Sequence, residues 1–203
     1  MKTRRNFLKF IALCAVSLNA NETKFKLRPP GALDEGAFLS SCIKCGQCLQ
    51  VCPYDSIKLS DISDIFGIGA PYISPENRGC YLCQALPCVL ACPSGALNHE
   101  VSEVKSVFMG RAVIDEISPC FAFKNQNVSS VNLKKAKNEL TRNLNEKLSQ
   151  SVGKICDLCV QFCPLEDKAI KIENNTPEIL ANCVGCGVCV ELCPAKIIKV
   201  IPK

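Results

Sequence analysis

The sequence has no tryptophan, a single histidine (His99) and two methionines, and aromatic residues make up only 6% of its 203 positions. That shortage excludes a core built around large rings and a catalytic centre that relies on a histidine base. No nucleophile–base pair, glycine-rich phosphate loop or open metal position stands out. No C-x2-C pair is followed by histidine, which rules out attachment of a c-type haem. Charge excludes a further class. The formal +5 comes from 24 basic and 19 acidic residues, but Lys2, Arg4, Arg5 and Lys9 all precede the first acid, leaving 20 against 19 in the remainder. No basic face of the size that neutralises many phosphates is left, so nucleic acid is not expected as a partner.

What the chain holds in excess is cysteine, 17 residues in 203, a density at which a disulfide scaffold or a metal protein becomes the leading expectation. Cys14 stands alone in an apolar stretch and reads as a small buried hydrophobe. The other 16 fall into four groups. Cys42, Cys45, Cys48 and Cys52 read C-x2-C-x2-C-x3-C-P with Pro53, and Cys183, Cys186, Cys189 and Cys193 repeat that spacing with Pro194. Cys80, Cys83, Cys88 and Cys92 widen the middle gap to four residues before Pro93. Cys156, Cys159 and Cys163 precede Pro164 and are one cysteine short; Cys120, far upstream, is the only one left to complete the set.

Four sets of four thiolates point to four [4Fe–4S] clusters. Three cysteines at short intervals wrap a tight loop round one cuboid, and the fourth, pinned by its proline, reaches the partner cluster in two-cluster ferredoxins. Gly46, Gly185 and Gly187 let the backbone turn close to the sulfides. Repeated two-residue spacings make poor structural disulfides, and zinc ribbons separate their C-x2-C pairs by a longer arm. The crossing gives Cys42, Cys45, Cys48 and Cys92 to a first cluster and Cys80, Cys83, Cys88 and Cys52 to a second. Cys120, Cys156, Cys159 and Cys193 would hold a third, and Cys183, Cys186, Cys189 and Cys163 a fourth.

Each Cys-Pro runs into a short apolar segment, "CPYDSIKL", "CPSGAL", "CPLEDKAIKI" and "CPAKIIKV", which reads as a short strand. The expected fold is therefore α/β (α+β): two tandem bacterial-type 2[4Fe–4S] ferredoxin-like units, at 38–105 and 112–203, with short strands and helices wrapped around four clusters. An insert at about 124–151 interrupts the third motif. Its Leu133, Ala136, Leu140, Leu144 and Leu148 recur at helical spacing among Lys134, Lys135, Lys137, Arg142 and Lys147. That is an amphipathic helix, more simply packed on its own domain than offered to a partner. Residues 21–37, including "RPPGAL", read as a Pro-rich linker, extended and semi-rigid.

The first 20 residues read as a signal peptide. "TRRNFLK" has paired arginines, and the apolar stretch 10–18 is too short to cross a bilayer, which needs about 20 residues. The pattern is that of a twin-arginine leader, and it accounts for the cysteines. A route that exports folded proteins delivers the thiols already ligated to iron, whereas bare thiols would oxidise outside the cell. The expected location is the periplasm, at the outer face of the inner membrane.

With these motifs the chain resembles the NapG/MauM family of exported ferredoxin-type proteins. The match rests on "TRRNFLK", "RPPGAL", "CIKCGQCLQVCPYD", "GAPYISPENRGCYLCQALPCVLACPSGAL", "CDLCVQFCP" and "CVGCGVCVELCP"; the long segment between Cys120 and "CDLC" departs from it. The resemblance implies an electron carrier rather than an enzyme, part of a quinol dehydrogenase module. Its partners would be a membrane-bound NapH-like iron–sulfur protein that oxidises menaquinol or ubiquinol, then periplasmic cytochrome c and nitrate reductase, with the twin-arginine translocase for export. Two other functions compete: an electron-transfer subunit of another exported molybdenum oxidoreductase, and a module whose clusters serve only the fold. His99, Asp55 and Asp167, near the motifs, read most simply as solvated side chains.

Overall fold

The computed structural model describes residues 25–64, 67–131, 133 and 142–203. The leader at 1–20 lies outside them. The fold is α+β, with short elements throughout. The helices are α1 (Glu35–Ser41), α2 (Gln47–Gln50), α3 (Pro87–Leu90), α4 (Arg142–Gln150), α5 (Leu158–Gln161) and α6 (Val188–Leu192). The strands β1 (Ile57–Leu59), β2 (Pro71–Ile73), β3 (Gly110–Ile114), β4 (Ile170–Glu173), β5 (Thr176–Ile179) and β6 (Ile198–Pro202) form three antiparallel pairs, β1–β2, β3–β6 and β4–β5. β4 and β5 are joined by Asn174 and Asn175, at φ 50° and 60°. Asparagine tolerates that left-handed region, and two such residues in succession match the twist of a tight hairpin.

Three of the four Cys-Pro segments become strands, at β1, β4 and β6. The second does not. After Cys92, Leu97 makes only an isolated bridge to Ala32, because its edge is taken by the segment expected to be a linker. Leu33 N–H donates to Ala96 O (3.1 Å) and Asn98 N–H to Gly31 O (2.7 Å). Leu27 likewise bridges Ile73 at the edge of β2. Pro29 and Pro30 are fully buried. Of the expected linker, then, residues 27–32 are part of the core. Proline lacks an N–H, so burying two of them leaves no orphan donor.

Arg28 anchors this segment. Its Nε and Nη2 donate to the Glu35 carboxylate at 2.9 and 2.6 Å, and its Nη1 to Pro71 O at 2.9 Å. The guanidinium also lies 4.9 Å from the Phe38 ring centroid. Arg28→Ala would leave Glu35 facing a partly buried gap and free Pro71 O, and cutting one partner of a buried pair is costly. We expect a loss of about 3 kcal/mol, read as a lowered urea midpoint by circular dichroism; a midpoint unchanged from wild type would show that the segment is not held this way.

The insert closes on itself at its base. Val128 N–H donates to Lys154 O (2.8 Å) and Gly153 N–H to Val128 O (2.9 Å), while Asn127 bridges Ile155. The chain therefore leaves and returns at one place, which brings the Cys120 region beside the third motif: Cys156 N–H donates to Gln126 O at 3.1 Å. Leu133 and Leu148 are buried and Leu144 packs on the same core. Lys147 Nζ donates to Gln161 O (2.7 Å) and sits over the Phe162 ring. The described end of the insert packs on its own chain; positions 134–141 lie outside the described residues.

Buried apolar side chains run in one continuous set from Leu27 and Phe38 through Leu86 and Val89 to Leu148, Leu158 and Val188, so the core crosses from the first unit into the second. A smaller set, including Ala112, Ala169, Ile197 and Ile198, lies under β3 and β6. Among the described residues, no helix is long and apolar enough to cross a membrane.

Candidate metal centres

The first, second and last cysteine motifs turn their backbone inwards through left-handed residues. In the first, Lys44 and Gly46 have φ 59° and 74°; in the last, Gly185 and Gly187 have 72° and 82°. α2 and α6 start directly after Gly46 and Gly187. The second motif makes the same turn with Leu82 (48°) and Leu86 (42°). A leucine there costs on the order of 1–2 kcal/mol. Nothing in the sequence announces that strain. Three cysteines of each complete motif thus surround one space, and the fourth, after the helix, faces away from it.

The structure brings the thiols together across motifs. Cys42, Cys45, Cys48 and Cys92 line one cavity. Cys52, Cys80, Cys83 and Cys88 line a second, with Tyr54 and Tyr81 stacked at 4.6 Å alongside. Cys163, Cys183, Cys186 and Cys189 line a third. Each of the three spaces is lined by four cysteines, as one repeated guest would require. Cys120, Cys156, Cys159 and Cys193 form the remaining group, close enough that Cys120 and Cys193 raise the thiols of both Cys156 and Cys159. All sixteen cysteines are free of disulfides. Among the described residues, no three Cys, His, Asp or Glu side chains converge where a single ion would sit. A tetrahedral ion with bonds of about 2.3 Å needs that convergence; thiols placed round the rim of a cavity fit a multi-iron cuboid instead.

Burial dominates the electrostatics. It pushes Cys48 and Cys156 up to about 11 and Cys88, Cys159 and Cys186 to about 12, with neighbouring cysteines adding to the rise. Cys80 and Cys189 go well above the ordinary value for the same reason. Cys92 goes the other way. Burial raises it, but the Leu97 N–H (3.4 Å) and the Ser94 hydroxyl (3.7 Å) favour the thiolate and bring it below the ordinary value. Burial in the folded arrangement thus favours the protonated thiols, and ligation, which needs the thiolate, must release those protons. Reconstitution with iron and sulfide should accordingly improve steeply between roughly pH 7 and 9, with acid released into unbuffered solution. Uptake independent of pH would contradict this.

Of the other residues near the motifs, His99 is exposed, its Nε2 2.9 Å from Cys92 O. Asp55 and Asp167 are exposed as well. A charged site absent from the sequence reading lies between the units. Glu191, on α6, accepts from Gly79 N–H at 2.8 Å and pairs with Arg78 at 3.7 Å, and both side chains are almost fully buried (4% and 7% exposed). One glutamate and one arginine 113 positions apart carry no mark that distinguishes them from solvated charges.

Cysteine-lined cavities of this kind define a class, the iron–sulfur proteins of ferredoxin type. The chain matches the 4Fe-4S dicluster domain over residues 41–96 and the 4Fe-4S binding domain over 179–199. It is 34% identical to the ferredoxin-type protein NapG of Escherichia coli over 95% of this chain and 77% of that one. It is 30% identical to the methylamine utilization ferredoxin-type protein MauM of Methylorubrum extorquens, over 95% and 80%, and 32% identical to MauM of Paracoccus denitrificans, over 87% and 71%. The chain belongs to the NapG/MauM family of ferredoxin-type proteins, and it is an iron–sulfur electron carrier, not an enzyme.

Proposed function

We propose that the chain holds four [4Fe–4S] clusters and relays electrons from a membrane quinol-oxidising partner to a soluble acceptor outside the inner membrane. The observation that carries this is the crossing: in each unit, each group of three thiols is completed by one from the neighbouring motif. The ligands are Cys42, Cys45, Cys48 and Cys92; Cys52, Cys80, Cys83 and Cys88; Cys120, Cys156, Cys159 and Cys193; and Cys163, Cys183, Cys186 and Cys189. When bound, such clusters supply reversible one-electron transfer. The chain's own residues place them, keep water away and tune their potentials. Ser56, Leu97 and Ala112 each direct an N–H at a cysteine sulfur, Cys52, Cys92 and Cys183 respectively, at 3.4 Å. Such donors draw charge from the sulfur and favour the reduced state.

Within the family, we read the chain as the NapG-type component. It would pass electrons from menaquinol or ubiquinol, through a membrane-bound NapH-like iron–sulfur protein, towards periplasmic cytochrome c and nitrate reductase. The paired arginines of the leader support export through the twin-arginine translocase with the clusters already in place. The MauM relatives, at 30–32% identity, support a second reading, the same relay in a methylamine-linked chain. An electron-transfer subunit of another exported molybdenum oxidoreductase is a third; co-purification from membranes separates them by the partner that comes with the chain.

Iron and acid-labile sulfide analysis of the anaerobic protein tests the core of the proposal, with about sixteen of each expected per chain. Cys120→Ala should lose about four of each and keep the rest. Full iron content without Cys120 would overturn its assignment, and a wild-type content near eight would overturn the four-cluster reading. In the complex with its membrane partner, quinol should reduce the clusters.

A further inference from the structure

We propose that electrons cross between the two units at one contact, the hydrogen bond from Cys80 N–H to Cys186 O, and that Glu191 is the positioning residue that holds this contact closed. The proposal rests on the four-cluster reading above and adds the order of the path and the residues that join its halves.

Within each unit the order follows from the crossing. Cys48 on α2 belongs to the first set and Cys52, just beyond that helix, to the second. Cys189 on α6 belongs to the fourth set and Cys193, at its end, to the third. Between the units, Cys80 of the second set donates its N–H to the carbonyl of Cys186 of the fourth at 2.7 Å. The path therefore runs from the first set to the second, then to the fourth, then to the third. Its ends differ. Cys45 of the first set is exposed, whereas in the third set Cys120 and Cys156 are buried, next to the base of the insert.

The contact is built with little slack. A methyl group on Gly79 would lie 2.4 Å from Val188 N and 2.6 Å from Gly187 C, and one on Gly187 would lie 2.7 Å from Pro75 Cβ. On one side Ser56 Oγ donates to Gly79 O at 2.6 Å. On the other the Glu191 carboxylate takes the Gly79 N–H, one residue from the Cys80 N–H that makes the contact. Placing a carboxylate and a guanidinium out of water is expensive. Here that cost falls where the backbones of two cysteine loops must stay in register. One electron leaves the group held by the second set and reduces the group held by the fourth; no bond forms or breaks and no proton moves.

The test uses the full chain, purified anaerobically with its iron counted. Glu191→Gln keeps the shape and removes the charge. A negative charge opposes addition of an electron, so the variant should raise the midpoint potentials of two clusters and leave the other two in place. The assignment comes from which potentials also respond to Cys83→Ser and Cys186→Ser. Gly79→Ala should force the loops apart and abolish the part of the spin–spin coupling, seen by electron paramagnetic resonance in the fully reduced protein, that joins the second and fourth sets. Glu178→Gln, on the exposed edge of β5, should change neither quantity. With about sixteen irons present, unchanged potentials in Glu191→Gln, or unchanged coupling in Gly79→Ala, would overturn the proposal. A wild-type protein short of iron would instead sink the four-cluster reading on which it stands.

Discussion

Removing the iron from the folded protein should leave a chain without a cooperative unfolding transition. The reason lies in how little the polypeptide holds by itself. Among the described residues the longest helix, α4, has nine residues, and four helices have five or fewer. Helices this short are not stable alone. Each sheet has two strands, which is marginal at best in water. Many of the buried positions are cysteines that face a cavity rather than a neighbour. Empty, those cavities forfeit contacts on one side of every wall, and a small scaffold depends on such staples. Where metal binding and folding are one event, the coupling amounts to about 10 kcal/mol or more, as large as the about 5–15 kcal/mol that stabilises a typical domain as a whole. Chelation under reducing conditions, followed by circular dichroism and hydrogen exchange, checks this. A protected, cooperatively melting apo-protein would show that the apolar core suffices.

The spacing of the cysteines made the centres legible because a cluster dictates its loop: three thiols within a few residues can surround one cuboid in few ways. The strands after Cys52, Cys163 and Cys193 were legible for a related reason, since a turn at Cys-Pro followed by β-branched residues has one economical continuation. The strand expected after Cys92 fails because a strand needs a partner edge, and partner edges are a tertiary fact. There the edge went to "RPPGAL", whose prolines look like a linker and are in fact buried. Proline content reports stiffness, and a stiff segment packs as readily as it spans. The same limit hid the seam. Arg78 and Glu191 look like solvated charges, and Gly79 like an ordinary glycine before a cysteine, until the second unit is folded against the first. The insert shows both sides. Its apolar period correctly placed Leu133 and Leu148 inside, but the closure at 127–128 with 153–155, which brings Cys120 to its set, rests on backbone hydrogen bonds to which side-chain identity contributes little.

Gly185→Ala should be among the most damaging substitutions outside the cysteines. Gly185 has φ +72°, where an alanine is already strained by roughly 1 kcal/mol. The added methyl would also lie 2.5 Å from Gly110 C and 2.7 Å from Gly110 O, backbone atoms of β3 that have no rotamer to escape into. Relief requires β3 to move away from the loop. That movement would break the Met109 N–H to Val184 O bond (3.0 Å) and draw the Ala112 N–H from the Cys183 sulfur (3.4 Å). Overpacking of this kind costs about 1–3 kcal/mol, and each lost hydrogen bond adds about 1, so with the backbone strain the sum is about 5 kcal/mol. Two other glycines separate the contributions. Gly95 has φ +70° with nothing within 4 Å of an added methyl, so Gly95→Ala should cost only the backbone strain, about 1 kcal/mol. Gly36, inside α1 with equally open space, should gain about 0.5–1 kcal/mol from alanine. Denaturation midpoints of the three variants should therefore fall in the order Gly36→Ala above wild type, Gly95→Ala slightly below, Gly185→Ala far below. If Gly95→Ala and Gly185→Ala were equally harmful, conformation alone would account for Gly185, and the close approach of β3 to the last cysteine loop would be wrong.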